Sequence, residues 1–210
     1  MPAQTEQSVV TCWNCGKTPE EVHFCANCES LQAPVSDYFS YLGVPRKLSI
    51  DRAKLEKNFY MLSRRLHPDV YFRRPERERQ FSIDATALLN DAYRTLKEPV
   101  SRVEYLLGLY GIKKREESSA GAPPELLEEV FELNMALEEI RHGDASVRPQ
   151  LEAAKAKFDG MLAEADRQME DLFGEWDRTS ERRVLEQMNG VLQRRKYIQN
   201  FLRDVNAGLS

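Results

Sequence analysis

All four cysteines of this 210-residue chain fall between positions 12 and 28, as Cys12-x-x-Cys15 and Cys25-x-x-Cys28. Two such knuckles, separated by nine residues, suit a tetrahedral Zn²⁺ ion. Each brings two thiolates to one side of a tight turn, and the two turns close around a metal at Zn–S distances of about 2.3 Å. Four thiolates leave no open coordination position, so such a site is structural. The alternatives are two disulfides or a redox CxxC. Disulfides need an oxidising compartment, and the first ten residues, MPAQTEQSVV, have neither the basic region nor the apolar core of a secretory signal. A redox CxxC normally opens a helix after a strand, and that pattern is missing here. His23 lies beside the second knuckle, is superfluous as a ligand, and reads as a solvated loop histidine. So short a segment buries little apolar surface, so metal binding is expected to supply most of its folding free energy.

Beyond the knuckles the sequence reads as helix throughout. Asp37-Tyr38-Phe39 opens a short helix that stops near Gly43. Ser49 is a plausible N-cap for a second helix, whose apolar stripe is Leu55, Phe59, Leu62 and Leu66. His67-Pro68 ends it, because proline disfavours helical geometry in the residue before it. An arginine-rich loop, Tyr71 to Pro75, leads to a helix over about 76–97 with Phe81, Ala85, Leu88, Leu89, Ala92, Tyr93 and Leu96 on its inner face. The connection has the usual length for an antiparallel helical hairpin. A further helix spans Pro99 to about Tyr110. The stretch from Lys113 to Pro124 has no apolar periodicity and reads as a linker. Three amphipathic patterns follow, over about 124–142, 146–173 and 178–206, with breaks at Gly143-Asp144 and between Gly174 and Ser180. They suggest an antiparallel three-helix bundle. The predicted fold class is therefore all-α, with a small ribbon-like metal segment at the N-terminus.

No GxSxG, P-loop or GxGxxG occurs, and carboxylates fall along helix faces as solvated surface does. Nothing in the sequence has the pattern of an enzyme active site. The distinctive feature is His67-Pro68-Asp69. It follows a helix whose outward face carries Arg52, Lys54, Lys57, Arg64 and Arg65, with Arg73 and Arg74 just beyond. Taken alone the tripeptide is equally a turn, in which His-Pro ends one helix and Asp caps the next. A basic helix also raises nucleic-acid binding. This one lacks base-reading Asn or Gln and interleaved aromatics, and the chain is acidic with pI ≈ 5.6, so no nucleic acid is expected. No apolar run approaches membrane-spanning length, and no membrane partner is expected.

The order of helix, basic helix, His-Pro-Asp loop and a helix ending Asn90-Asp91-Ala92-Tyr93-Arg94-Thr95-Leu96 resembles the J-domain family. Within it the chain is most similar to the HscB-type co-chaperones of iron–sulfur cluster biogenesis. Asp37-Tyr38-Phe39, Leu66-His67-Pro68-Asp69, Ser101-Arg102 with Tyr105-Leu106-Leu107, and Leu126-Leu127-Glu128-Glu129 match that group. The segment Cys12-Trp13-Asn14-Cys15 … Phe24-Cys25 … Cys28 looks like the zinc-binding extension some members carry.

The resemblance implies a co-chaperone that does no chemistry itself. It would raise the ATPase rate of a DnaK/HscA-type chaperone. The basic helix (Lys54, Lys57, Arg64, Arg65) would steer toward an acidic surface. Asp69 would be the charged contact, with His67 and Pro68 shaping the loop. An IscU-type iron–sulfur scaffold would be the cargo, held by Leu127, Phe131, Glu132 and Met135 on the first helix of the bundle and Tyr197 on the last. A Leu/Phe stripe is equally an ordinary core face. Val130, Leu133, Leu137 and Ile140 form a separate stripe that we assign to the core. Where the family often has an apolar residue after Leu127, this chain has Glu128, which narrows or shifts the patch. A general J-protein for unfolded clients would bring a Gly/Phe-rich linker and β-sandwich domains, absent here.

The expected organisation is a metal segment at 1–33, a J-domain at 36–111, a linker at 112–123 and a scaffold-binding bundle at 124–210. Charge follows it: residues 1–115 carry 18 Lys and Arg against 14 Asp and Glu, and residues 116–210 carry 12 against 20. That split suits two halves meeting different partners. The metal segment leaves room for a homodimer contact. The start at Met1 and the absence of a transit peptide suggest a bacterial cytoplasmic protein, with a processed mitochondrial matrix form as the alternative.

Overall fold

A computed structural model describes residues 11–113 and 127–209, with the side chains of 127–129 excepted. Among these residues there is no strand, only an isolated antiparallel bridge between Phe24 and Leu31. The fold is all-α, as expected. The described residues contain eight α-helices in order: α1 Tyr38–Tyr41, α2 Arg52–Leu66, α3 Pro68–Tyr71, α4 Glu76–Lys97, α5 Pro99–Leu109, α6 Leu127–Arg141, α7 Arg148–Thr179 and α8 Arg182–Leu209. Most of the linker expected at 112–123 lies outside the described residues. The chain divides into two compact units, Met1–Arg102 and Val103–Ser210.

In the first unit α2 and α4 pair as the predicted hairpin. Leu55, Leu62 and Leu66 of α2 and Ala85, Leu89, Ala92 and Leu96 of α4 are buried between them, and Phe59 stacks on Tyr93 with ring centroids 4.1 Å apart. The N-cap of α2 is Asp51, whose carboxylate accepts the Lys54 N–H at 3.0 Å, and not Ser49 as the sequence suggested. Both are good caps; Asp51 directly precedes the first helical residue, Arg52, and so reaches the orphan N–H groups. Arg102 is 4% exposed. It gathers the carbonyls of Leu96 at 2.6 Å and Lys97 at 3.2 Å, the last turn of α4, and also donates to the Leu48 carbonyl. Arg102→Met removes the buried donor to the Leu96 carbonyl, whereas Lys97 O keeps the Arg52 guanidinium at 3.1 Å, so thermal or urea unfolding should show a loss of about 1–3 kcal/mol.

In the second unit α7 and α8 form a long antiparallel hairpin of 32 and 28 residues. Val130, Leu133, Ala136 and Leu137 of α6 close one end of it, packing with Leu151, Phe158, Ile198, Phe201, Leu202 and Val205. The other end is closed from a different part of the chain. Tyr110, just past α5, meets Trp176 edge-on at 5.2 Å, and Arg182 donates to the Tyr110 carbonyl at 3.1 Å. The sequence placed a helix end near Gly174, yet α7 continues to Thr179 and breaks at Ser180, whose φ is 52°. A glycine in a helix interior costs only about 1 kcal/mol. Burial of Phe173 and Trp176 on either side of it outweighs that.

Candidate functional site

The two cysteine knuckles have the same backbone. Cys12 N–H donates to Lys17 O at 2.7 Å and Gly16 N–H to Cys12 O at 2.9 Å. In the second, Cys25 N–H donates to Ser30 O at 3.0 Å and Glu29 N–H to Cys25 O at 2.8 Å. Both turns need a left-handed residue straight after the second cysteine: Gly16 at φ 73° and Glu29 at φ 59°. Glycine takes that conformation freely, whereas an L side chain is strained by about 1–2 kcal/mol. Glu29→Gly should therefore raise the melting temperature of the metal-loaded protein, by the equivalent of about 1 kcal/mol.

Cys12 and Cys28 Sγ are 3.6 Å apart and Cys15 and Cys25 Sγ 3.7 Å apart, with all four within 4.8 Å of one another. A disulfide requires about 2.05 Å. A tetrahedron of thiolates 2.3 Å from a central ion has edges of roughly 3.8 Å. The donor set therefore fits a tetrahedral metal. The environment also favours charge on the sulfurs of Cys12 and Cys28. Cys12 accepts from Asn14 N–H and from the Gln32 amide, both at 3.4 Å. Burial opposes its ionisation, but the Cys15 and Asn14 N–H groups outweigh that and lower its pKa. The Ser30 hydroxyl and N–H bring Cys28 down to about 6. Burial pushes Cys25 up to about 11.

The segment is packed onto the helices. Trp13 Nε1–H donates to Leu31 O at 2.8 Å, and its ring meets Phe81 edge-on at 6.3 Å. Leu31 N–H donates to the buried Glu78 carboxylate at 3.0 Å. His23 is not the solvated residue the sequence suggested. Its Nε2–H donates to Tyr41 O at 2.9 Å, its ring packs edge-on against Tyr41 at 4.5 Å, and burial lowers its pKa. A lone loop histidine gave no hint of this, because Tyr41 lies 18 residues away.

The His-Pro-Asp tripeptide is a helix start. His67 caps α3, its Nδ1 accepting the Asp69 N–H at 3.3 Å, and Pro68 sits at the first helical position, where its missing N–H costs nothing. The same Nδ1 lies 3.4 Å from the Asp69 carboxylate, so the His67 ring orients the loop. The preceding helix end is held by three hydroxyls. Tyr71 donates to Arg65 O at 3.1 Å, and Ser82 and Thr86 donate to Leu66 O at 2.5 and 3.1 Å. They satisfy carbonyls that every helix C-terminus leaves orphaned. On this braced turn the Asp69 side chain is 91% exposed. Lys54, Lys57 and Arg64 are exposed on α2. Arg65 is engaged, its guanidinium lying 4.2 Å over the Phe24 ring of the metal segment. The sequence reading did not single out Glu78, although its place on the stripe Glu78, Ser82, Ala85, Leu89 marked it as buried. It also passed over Val70 and Phe72, 56% and 63% exposed beside Asp69.

On α6, Phe131 and Met135 are exposed, at 67% and 54%, while Val130, Leu133 and Leu137 are buried and Ile140 packs against the core. Phe131 and Met135 line one shallow groove of about 360 Å³ with Asn134, Glu138 and Glu139. Glu132 is exposed on the same helix. Tyr197 is half-buried against the bundle core and is not among the walls of that groove. The side chain of Leu127 lies outside the described residues.

Comparison with known proteins places these features together. The DnaJ domain family model matches residues 37–105, and the HSCB C-terminal oligomerisation domain model matches residues 122–206. The human iron-sulfur cluster co-chaperone protein HscB is 37% identical over 161 residues, covering 74% of this chain and 68% of that protein. The co-chaperone protein HscB homolog of Vibrio vulnificus (strain YJ016) is 37% identical over 132 residues, covering 63% of this chain and 74% of that protein. The crystal structure of human HscB superposes with a TM-score of 0.69 at 30% identity, covering 94% of this chain and 98% of that one. With a J-domain, an HscB C-terminal domain and this identity across most of both chains, the protein belongs to the HscB family of co-chaperones.

Proposed function

We propose that this chain stimulates the ATPase of a DnaK/HscA-type chaperone and brings to it an IscU-type iron–sulfur scaffold. The observation that carries the reading is the 91% exposed Asp69 carboxylate on a turn held by the His67 cap and by the Tyr71 and Ser82 hydroxyls at the preceding helix end. Such a group is available for a partner and positioned before the partner arrives, which lowers the ordering cost of association. Lys54, Lys57 and Arg64 extend the contact as a basic face, and His67 and Pro68 hold the loop in shape. Binding favours whichever chaperone conformation accepts the charged loop better, so the protein acts by shifting a conformational equilibrium and takes no part in the chemistry of ATP. The cargo side is the exposed Phe131 and Met135 with Glu132 beside them, extended by Leu127 and Tyr197; exposed apolar groups of this kind are characteristic of interaction surfaces. Domain limits of 36–111 for the J-domain, 112–123 for the linker and 124–210 for the scaffold-binding bundle go with this assignment. Cys12, Cys15, Cys25 and Cys28 hold structural Zn²⁺. Four free thiols at this spacing suit a reducing compartment, the bacterial cytoplasm or the mitochondrial matrix.

The test is the steady-state ATPase rate of the chaperone with this protein, with the scaffold, and with both. Stimulation well above the sum of the separate effects supports the reading. Stimulation by the protein alone, untouched by scaffold, points to a different client. No stimulation in any combination defeats it. The cargo surface has its own check: Phe131→Ala with Met135→Ala should weaken scaffold binding about 10- to 100-fold in a calorimetric titration. It should leave folding intact, because neither side chain is buried.

A further inference from the structure

Between the second knuckle and the Asp69 turn lies an open groove of about 660 Å³, with Glu21, Phe24 and Glu29 on the knuckle side and Arg64, Val70 and Arg74 on the helix side. It begins one residue after Asp69, at Val70, and runs along the end of the basic face of α2. Phe24 forms a fixed wall, held by the Arg65 guanidinium 4.2 Å over its ring. The four charged residues among these six are exposed.

An independent observation concerns Glu29. The two knuckles share one backbone geometry, and the first meets its left-handed position with Gly16. The second has a glutamate there, in the conformation that strains it, and that glutamate lines the groove that also holds Val70 and Arg74. Strained positions of this kind cluster at functional surfaces, which makes Glu29 a candidate for a role beyond stability.

We infer that the second metal knuckle is part of the chaperone-docking surface, with Glu29 and Arg74 as its two poles. This rests on the ATPase-stimulating role proposed above. The occupant is the same DnaK/HscA-type chaperone that contacts Asp69, by continuity of the surface and by charge. Past the carboxylate-accepting site it presents a basic side chain to Glu29 and Glu21, and an acidic one to Arg64 and Arg74. Opposite signs a groove's width apart fix the register of docking as well as its strength, because a slipped alignment sets like charges together. The metal segment on this reading is a specificity element, and not only a brace.

The experiment titrates the metal-loaded protein into a fixed amount of chaperone and reads both maximal ATPase stimulation and the half-saturating concentration. Glu29→Gly, Glu29→Gln, Arg74→Ala and Asp69→Asn are compared with the wild type. Glu29→Gly should melt higher and keep its metal, yet half-saturate at about three- to fivefold higher concentration with the same maximum, as loss of one rim ion pair requires. Glu29→Gln should show the same weakening without the gain in melting temperature. A purely structural knuckle makes the opposite forecast, since a more stable variant would dock at least as well. Wild-type half-saturation in Glu29→Gly and Arg74→Ala, with stimulation lost in Asp69→Asn, overturns this inference and leaves the docking role of Asp69 standing. Undiminished stimulation by Asp69→Asn, or none by the wild type, overturns the proposed function and this inference with it.

Discussion

Asp69→Asn should abolish chaperone stimulation at working concentrations while leaving the fold untouched. The substitution keeps the shape and the backbone N–H that His67 accepts, and it removes only a charge that makes no buried contact within the protein. With the side chain 91% exposed, no measurable change in melting temperature is expected. The loss appears in the complex, where the partner's cation is left desolvated and unpaired. Truncating one member of such a pair costs about 2–5 kcal/mol, so half-saturation should move by about 30-fold or more. Circular dichroism and scaffold binding of the variant should match the wild type. A drop in either means that Asp69 has a structural role and that the loss of stimulation says nothing of docking.

Cys25→Ser should give metal-free protein whose segment 11–32 has come away from the helices. Structural Zn²⁺ in small thiolate sites supplies about 10–16 kcal/mol, far more than the handful of contacts that dock this segment. Removal also leaves buried Glu78 without the Leu31 N–H and Tyr41 O without the His23 ring. Metal analysis should therefore read zero, and Trp13, which packs against Phe81, should shift its fluorescence toward that of an exposed indole. The helical signal should fall little, since no α-helix lies within 11–32. Acid should produce the same state in the wild type. Cys25 is held up at about 11 and Cys28 down at about 6. At neutral pH metal uptake thus expels a proton from Cys25, whereas Cys28 is already largely ionised. Falling pH then adds the Cys28 proton to those that metal must displace, so affinity should decline more steeply below about pH 6. Retention of full metal by Cys25→Ser would rule out the four-thiolate site.

Much of this was legible in the residues. The spacing of Cys12, Cys15, Cys25 and Cys28 pointed to four converging sulfurs because a CxxC turn has few backbone solutions, and all four do converge. The stripes Leu55–Leu62–Leu66 and Ala85–Leu89–Ala92–Leu96 specified a hairpin because helical periodicity is a local property. Phe131 and Met135 could be separated from Val130, Leu133 and Leu137 for the same reason, since two stripes on one helix differ only in angle. Tyr197 could not be placed that way, because its exposure depends on what its own helix packs against.

Other features belong to the tertiary structure alone. His23, Phe24 and Glu78 owe their roles to partners 18, 41 and 47 residues away, distances at which no local pattern carries information. The metal segment therefore read as a separate staple, when folding seats it against α2 and α4 at the edge of the Asp69 turn. In the same way a bundle expected to begin at residue 124 also takes in Tyr110, which covers Trp176. Periodicity states which face of a helix must be buried. Only the closing of the chain decides which distant residue buries it, because that choice is made by shape and hydrogen-bond complementarity between surfaces that do not exist until the helices have formed.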